Sequence, residues 1–464
     1  MILFLLEFSA LVLAHISGNI PVDHSEYENW ERLEAFDCSR PHEKLVRPVG
    51  RYTLADTFTL EEGKDTCSAP EWLLSERERL LRRVQPNEAR FQFLWAQDET
   101  LKLNGLEASV VPSFPMRQGR RTFNGPNLYG EAMFGLEGGK TWGLALSITP
   151  GFVGGIEDFR SLNGRFYVQE GYAKVSYQRL EISYGRIGYA FGGPKHGSLF
   201  LTPHSAPLNG LSISVRSGGV EDSFENTAFQ TFLTSQSSAF ADEAKLWGVG
   251  LGTRLGFWGE LGFYQIHQYG GKGFGFPSNT EYLSTLFHTS GPETQRKVHV
   301  GTLLHAGIWG PNHLAKVYGQ IFWDDSSSIL AGVWLPKLGL FDARVEYVST
   351  GKGAYQSASW KQGFSYGGAT LGHPLGSDGR GIYLDIHLPE MLALRPEIQF
   401  GYEGRGMALD PETRMSGGLA MSRRWRTFLL DIGMRFTKAE NFQYVKGDEA
   451  LLFGVFTQLQ SQFH

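Results

Sequence analysis

The chain has little of several things, and each shortage narrows what it can be. Cysteine occurs twice, at Cys38 and Cys67. In an oxidising compartment these two would pair and close a loop of ~30 residues, worth ~3–4 kcal/mol on a chain-entropy argument; the alternative is two unpaired thiols. Two Cys with no His at ligand spacing do not make a four-ligand zinc site. Positive charge is not in excess: the net charge is −5 over 464 residues, so no bulk electrostatic case for nucleic acid exists. The longest N-terminal apolar stretch, ILFLLEFSALVLA from Ile2 to Ala14, is too short to cross a bilayer as a helix. It reads as the core of a signal peptide, with Val12 and Ala14 at the −3 and −1 cleavage positions. Glu7 interrupts it, and no Lys or Arg precedes it. There is no H-E-x-x-H and no Cys-x-x-Cys.

What the chain has in abundance is glycine and aromatics. Gly is 58 of 464 residues, and Phe and Tyr number 33 and 18; average usage of Gly is about 7%. High Gly with high aromatic content is the composition of a transmembrane β-barrel, whose alternating strands are only half apolar. From about Phe91 the period of the sequence is two, and helical periodicity nearly vanishes. Trp142, Leu144, Leu146 and Ile148 alternate with Gly143, Ala145 and Ser147. Phe341, Ala343, Val345 and Tyr347 oppose Asp342, Arg344 and Glu346. Phe428, Leu430, Ile432, Met434 and Phe436 oppose Leu429, Asp431 and Arg435. Runs of ~8–12 residues suit tilted membrane strands. The other face carries Gly, Ser, Arg, Glu and Asp, so a water-filled interior is expected rather than a sandwich core. The end of the chain, LLFGVFTQLQSQFH, reads as the amphipathic closing strand.

The expected organisation has three parts. Residues 1–14 are the signal peptide. Residues 15–90 are a helical, periplasmic region: Tyr27, Trp30, Leu33 and Phe36 recur at intervals of three, and Ser68 to Pro86 carries a cap, an early Pro and a terminal Pro. Residues 91–464 form an all-β membrane domain, a closed antiparallel transmembrane β-barrel of about 18 strands.

Within the strand-dense part, YGRIGYAFGGPKHGSLFLTPHSAPLNG, Tyr184 to Gly210, stands out. It is too long and too rich in Gly, Pro and His for a tight turn, and long ordered connections carry function. Its three prolines, Pro194, Pro203 and Pro207, suit a segment folded back into the lumen rather than a free linker. His196, His204 and His373 lie in such connections, but nothing in their spacing assembles a metal site, and ordinary loop histidines account for them. Arg186, Arg216, Arg254, Arg344, Arg380, Arg405 and Arg435 sit on or beside polar strand faces, where they would line a lumen suited to anionic or polar solutes, or pair with neighbouring carboxylates. Gly363-Phe-Ser365-Tyr-Gly367 fits G-x-S-x-G, yet no helix pattern follows to make a nucleophile elbow.

These residues also resemble a known family. GRIGYAFGGPKHGSLFLTPHSAPLNGLSI, through Gly185, Arg186, Gly192, Gly193, Pro194, Gly197, Ser198, Leu199, Ser205, Ala206 and Pro207, resembles the Wzi-type capsule-assembly proteins of Gram-negative outer membranes. YGGATLGHPLGSDGRGIYLDI resembles that family's later motif through Leu371, Gly372, His373, Gly376 and Asp378. The resemblance implies an eighteen-stranded outer-membrane barrel with a small periplasmic helical bundle. It also implies a non-enzymatic, lectin-like role in holding capsular or extracellular polysaccharide at the cell surface. The partners so implied are the bilayer and a surface polysaccharide, with no cofactor, no nucleic acid and a monomeric barrel. Candidate polysaccharide or lumen contacts are Arg186, Lys195, His196, His204, Arg216, His373, Asp378 and Arg380. A diffusion porin for small polar or anionic solutes is the alternative reading.

Overall fold

Strand boundaries follow the alternation of side chains, because a strand presents successive residues to opposite faces. The structure is a computed structural model. It describes residues 31–33, 35–36 and 46–47, and then 88–462 apart from 97–99, 104–105, 110–124, 140–141, 158–160, 178–179, 203–206, 217–226, 236–243, 257, 272–297, 339–340, 358–362, 367–368, 389–393, 407–410 and 426–427.

Eighteen strands form one sheet. The first six are β1 (Glu88–Ala96), β2 (Gly125–Gly139), β3 (Trp142–Glu157), β4 (Ser161–Tyr177), β5 (Leu180–Ile187) and β6 (Leu208–Arg216). Next come β7 (Thr227–Ser235), β8 (Lys245–Leu255), β9 (Gly259–Tyr269), β10 (Val298–Trp309), β11 (Lys316–Trp323) and β12 (Ser327–Leu338). The last are β13 (Phe341–Thr350), β14 (Gly379–His387), β15 (Leu394–Arg405), β16 (Glu412–Trp425), β17 (Phe428–Glu440) and β18 (Glu449–Gln462). Each strand pairs antiparallel with its neighbours in sequence. β1 also pairs with β18, Glu88 opposite Gln462 and Ala96 opposite Gly454, so the ladder runs round to its start as a closed barrel.

The two faces of this sheet are inverted relative to a soluble protein. On β10, Leu304, Ala306 and Ile308 are exposed on the outer face, while His305, Gly307 and Trp309 are buried inside. On β13, Phe341, Val345 and Tyr347 face out, and Arg344 and Glu346 face in. An apolar exterior around a charged interior is the arrangement lipid demands. Among the described residues no helix is long and apolar enough to cross a membrane.

The connections divide by length. At one end of the barrel two residues separate β4 from β5 and β12 from β13, and the start of β1 and the end of β18 lie there too. At the other end β5, β9 and β13 are separated from the strands that follow them by 20 residues or more.

The interior is not the water-filled channel that the polar strand faces suggest. Tyr189, Phe191, Phe200, Phe322, Tyr355 and Phe364 are all buried, none more than 4% exposed, and belong to one apolar cluster inside the barrel. The abundance of glycine has its reason here. The Tyr264 ring lies on Gly250, where an added Cβ would stand 2.5 Å from it, and rings of Tyr318 and Phe456 cover Gly332 and Gly433 in the same way. A ring laid over a bare glycine fills the wall without a ladder defect.

Of the expected helical region, residues 31–33 and 35 are helical, with the Phe36 N–H on the Arg32 carbonyl at 3.1 Å. The Ser68–Pro86 stretch, Cys38, Cys67 and the Ile2–Ala14 run lie outside the described residues. An outward-facing charge tests the inversion: Leu304→Arg should lower stability in a bilayer by ~2–4 kcal/mol, read as a reduced urea midpoint for the liposome-reconstituted barrel. An unchanged midpoint would mean that Leu304 does not face lipid.

Candidate functional site

The segment singled out in the sequence leaves β5 at the long-loop end, and its described part, 188–202, descends through the lumen. Val46–Arg47 pairs antiparallel with Ala190–Phe191 at its entrance. The Phe191 N–H donates to the Leu201 carbonyl at 2.8 Å, turning the segment back on itself. Its tip is Lys195–His196, whose successive backbone N–H groups donate to the two oxygens of Glu346 at 2.7 and 3.0 Å. The Tyr318 hydroxyl donates to the same carboxylate. Glu346 is fully buried, so these three donors replace the water it has lost.

The side chains at the tip are bound as firmly. His196 Nε2 lies 2.6 Å from Asp385 Oδ2, and its ring stacks on Tyr383 at 4.3 Å. Burial works against a charged imidazole, but Asp385 and Glu346 outweigh it and raise the His196 pKa above the ordinary value. Lys195 Nζ pairs with Glu397 and stands 3.8 Å from Asp385 Oδ1. Ser198 Oγ and the Leu199 N–H both donate to Gln320 Oε1, at 3.0 and 2.9 Å.

The tip meets the N-terminal helical turn. Arg32 Nε bonds Asp342 Oδ2 at 2.7 Å, Arg32 Nη2 lies 3.1 Å from His387 Nε2, and Glu31 faces Arg344 at 3.7 Å. A Cβ on Gly193 would stand 3.0 Å from Glu31 Oε1. Gly197 is required by a similar closeness and by its φ of +122°, since a Cβ there would meet Pro374 Cδ at 2.8 Å.

The described parts of the second connection, 351–357, 363–366 and 369–378, fold in from the same end and pack on the first. The Tyr355 N–H donates to Asp324 Oδ2 at 2.8 Å, anchoring it to the β11–β12 turn. Phe200 pairs with Gly372 as an isolated bridge, and the Thr202 N–H donates to the Leu371 carbonyl at 3.2 Å. The Phe200 ring stacks on Phe322 at 5.0 Å and meets Phe364 edge-on at 5.2 Å. His373 is buried; its Nδ1 accepts the Leu375 N–H at 3.1 Å, and Gly376 donates its N–H to the His373 carbonyl at 2.9 Å. Gly372 lies beneath the Tyr355 ring. Ser365 pairs with Thr370 in a short hairpin within this connection. A hairpin rather than a helix follows it, so the nucleophile-elbow geometry is not built.

The candidate residues therefore separate. Lys195, His196 and His373 come together in the lumen with Pro194 and Ser198. Asp378 is half-buried at the long-loop end, in the left-handed region at φ +53°, its N–H on the Gly351 carbonyl. Arg186 and Arg380 do not join them. Arg186, next to Gly185, shares the outer parity of Leu180, Ile182 and Tyr184, opposite Asn209. Arg380 is exposed and in phase with the outward Ile382. Both were expected at the lumen, and the strand phase corrects this. Arg216 ends β6 opposite Ala228, and His204 lies outside the described residues. The partners of the tip (Glu346, Asp385, Glu397, Tyr318, Gln320) were not among the candidates. Their inward phase was readable in the alternation; their meeting with residues 195–199 was not.

The family model described as capsule assembly protein Wzi matches residues 122–411. The chain belongs to the Wzi capsule assembly family. Among solved structures it is similar to Wzi of Escherichia coli, an outer membrane protein involved in group 1 capsule assembly and a carbohydrate-binding β-barrel. The identity is 16%, the TM-score 0.71, and the match covers 96% of this chain and 100% of that one. It also matches OccK5 (OpdH) of Pseudomonas aeruginosa, with 9% identity, TM-score 0.48, and 82% and 98% of the two chains covered. OpdK of the same organism, solved with vanillate, matches with 10% identity, TM-score 0.49 and coverages of 81% and 98%. No curated protein matches the chain.

The Wzi-type signature Gly192–Ser198 is thus a plug held by Glu346, and two outcomes follow. Glu346→Ala strands three buried donors, and should cost ~3–5 kcal/mol while exposing the Lys195 bond to trypsin in the folded barrel; resistance equal to that of the wild type would refute the anchoring role. Burial pushes Asp324 up to about 6. The folded form therefore holds a proton that the unfolded chain, at about 3.9, has released, so stability falls as pH rises from about 4 to about 6. The melting-temperature difference between wild type and Asp324→Asn should change across that window and stay flat above it.

Proposed function

We propose that this protein is an outer-membrane β-barrel that binds or organises capsular or extracellular polysaccharide at the cell surface, without enzymatic activity. The observation that carries the reading is the lumen occupied by 188–202 and by the described parts of the 351–378 connection, which rules against a wide diffusion path. In outer-membrane barrels long loops are extracellular and short turns periplasmic. The long-loop end then faces the capsule, and the N-terminal helical turn faces the periplasm. Residues 1–14 direct export, and 15–90 form a periplasmic part in which Cys38 and Cys67 pair. The barrel, of eighteen strands, acts as a monomer. Membership of the Wzi family supports the same assignment, as does the likeness in fold to the Escherichia coli protein.

The porin alternative predicts a large, stable conductance in planar bilayers; the plugged barrel predicts none. Deleting the gene should shift surface polysaccharide from cells into the medium, and the full-length gene should restore it. Unchanged polysaccharide retention in the deletion strain would refute the proposal.

A further inference from the structure

On the inner face of β15 and β16, at the long-loop end, four charged residues form a square. Glu403 stands opposite Arg414, and Arg405 opposite Glu412. Arg405 donates to Glu403 Oε2 through Nε and Nη2, at 3.2 and 2.6 Å, and Arg414 Nε donates to Glu412. The Tyr383 hydroxyl takes the other Glu403 oxygen at 3.0 Å. Arg435, on the neighbouring β17, donates to Ser416 Oγ at 2.6 Å. Three guanidinium groups thus share two glutamates.

The donors are not used up. Nη1 of Arg405 and Nη1 of Arg414 are buried with no acceptor among the described residues, and both side chains are at most 2% exposed. Each guanidinium has five N–H donors in a fixed planar fork, matched to a carboxylate. Above them lies the Phe442–Tyr444 turn. The Phe442 ring stands 6.0 Å from the Arg414 guanidinium carbon, and Tyr444 packs against Gly406, in electrostatic reach of Arg405, Glu412 and Arg414. This turn is strained: Asn441 and Tyr444 both adopt left-handed φ, +53° and +63°. Being on the inner face, the cluster is turned away from lipid headgroups.

We propose that Arg405 and Arg414, beneath the Phe442–Tyr444 turn, form a binding site for the carboxylate of an acidic sugar. The turn is a cover whose displacement bares the two Nη1 groups. This rests on the polysaccharide-binding reading above and names the substrate class for it.

The test uses the full-length protein in detergent micelles with two probes, an oligogalacturonate and the same oligomer with its carboxyls reduced to alcohols. The wild type should bind the uronate oligomer at least about tenfold more tightly, and added salt should narrow the gap. Arg414→Gln should abolish the preference, and Arg414→Lys, which keeps the charge but not the fork, should weaken it. Tyr444→Ala should raise uronate affinity by uncovering the site. Heat-modified gel mobility checks that each barrel is folded. Equal binding of both oligomers by the wild type would overturn this site while leaving polysaccharide binding intact, as would a preference that survives Arg414→Gln. Binding of neither oligomer would overturn the site, and with unchanged retention in the deletion strain would take the functional reading with it.

Discussion

One buried carboxylate holds the inside of this barrel together. Glu346 projects from the wall fully buried and accepts from the Lys195 and His196 N–H groups and from Tyr318. Leaving such a group without partners would cost several kcal/mol. A chain turned inward at that point satisfies it with backbone donors, whatever its side chains are. The position of the whole 188–202 segment follows from this demand, and with it the burial of Phe200 and the docking of 351–378 upon it.

The demand arises from the membrane setting. A closed ladder in lipid puts its apolar residues outside, so most polar residues of the membrane-crossing strands are collected within. The interior is then rich in charge, and the connections supply both complementary charge and apolar filling. Lys195 and His196 answer Asp385 and Glu397; Phe200, Phe364 and Tyr355 answer Phe322. A porin solves the same problem with water. Here the wall is answered by protein, which suits a surface that holds a partner rather than a pore that lets one pass.

The sequence revealed much of this, unevenly. Alternation such as Phe341-Asp342-Ala343-Arg344-Val345-Glu346 marks both the strand and the phase that faces inward, because the period of two is local. The Gly/Pro-rich length of 184–210, with its prolines, marked a connection folded into the lumen, and that too is composition. The partners were out of reach. Lys195 and Glu397 lie two hundred positions apart, and no local rule says which of many inward carboxylates a loop tip will find. Arg186 and Arg380 were misplaced for a smaller reason. Each lies at the end of a strand, where one residue of phase decides between inside and outside, and neighbouring Gly185 and Gly379 carry no side chain to show which phase holds. The glycines themselves were read as composition, when their specific role is to lie beneath Tyr264, Tyr318 and Phe456.

The ladder between β1 and β18 also constrains how the molecule comes into being. It joins residues 88–96 to residues 454–462, so the ring cannot shut until both stretches have been made and delivered. Until then the sheet is open, with two unpaired edges that invite association with other chains. Contacts so distant in sequence form slowly. The inner segments pair with one another, Val46–Arg47 with Ala190–Phe191, and both belong to parts of the chain made well before the final strand. The contents of the barrel are therefore made before the strand that closes its wall.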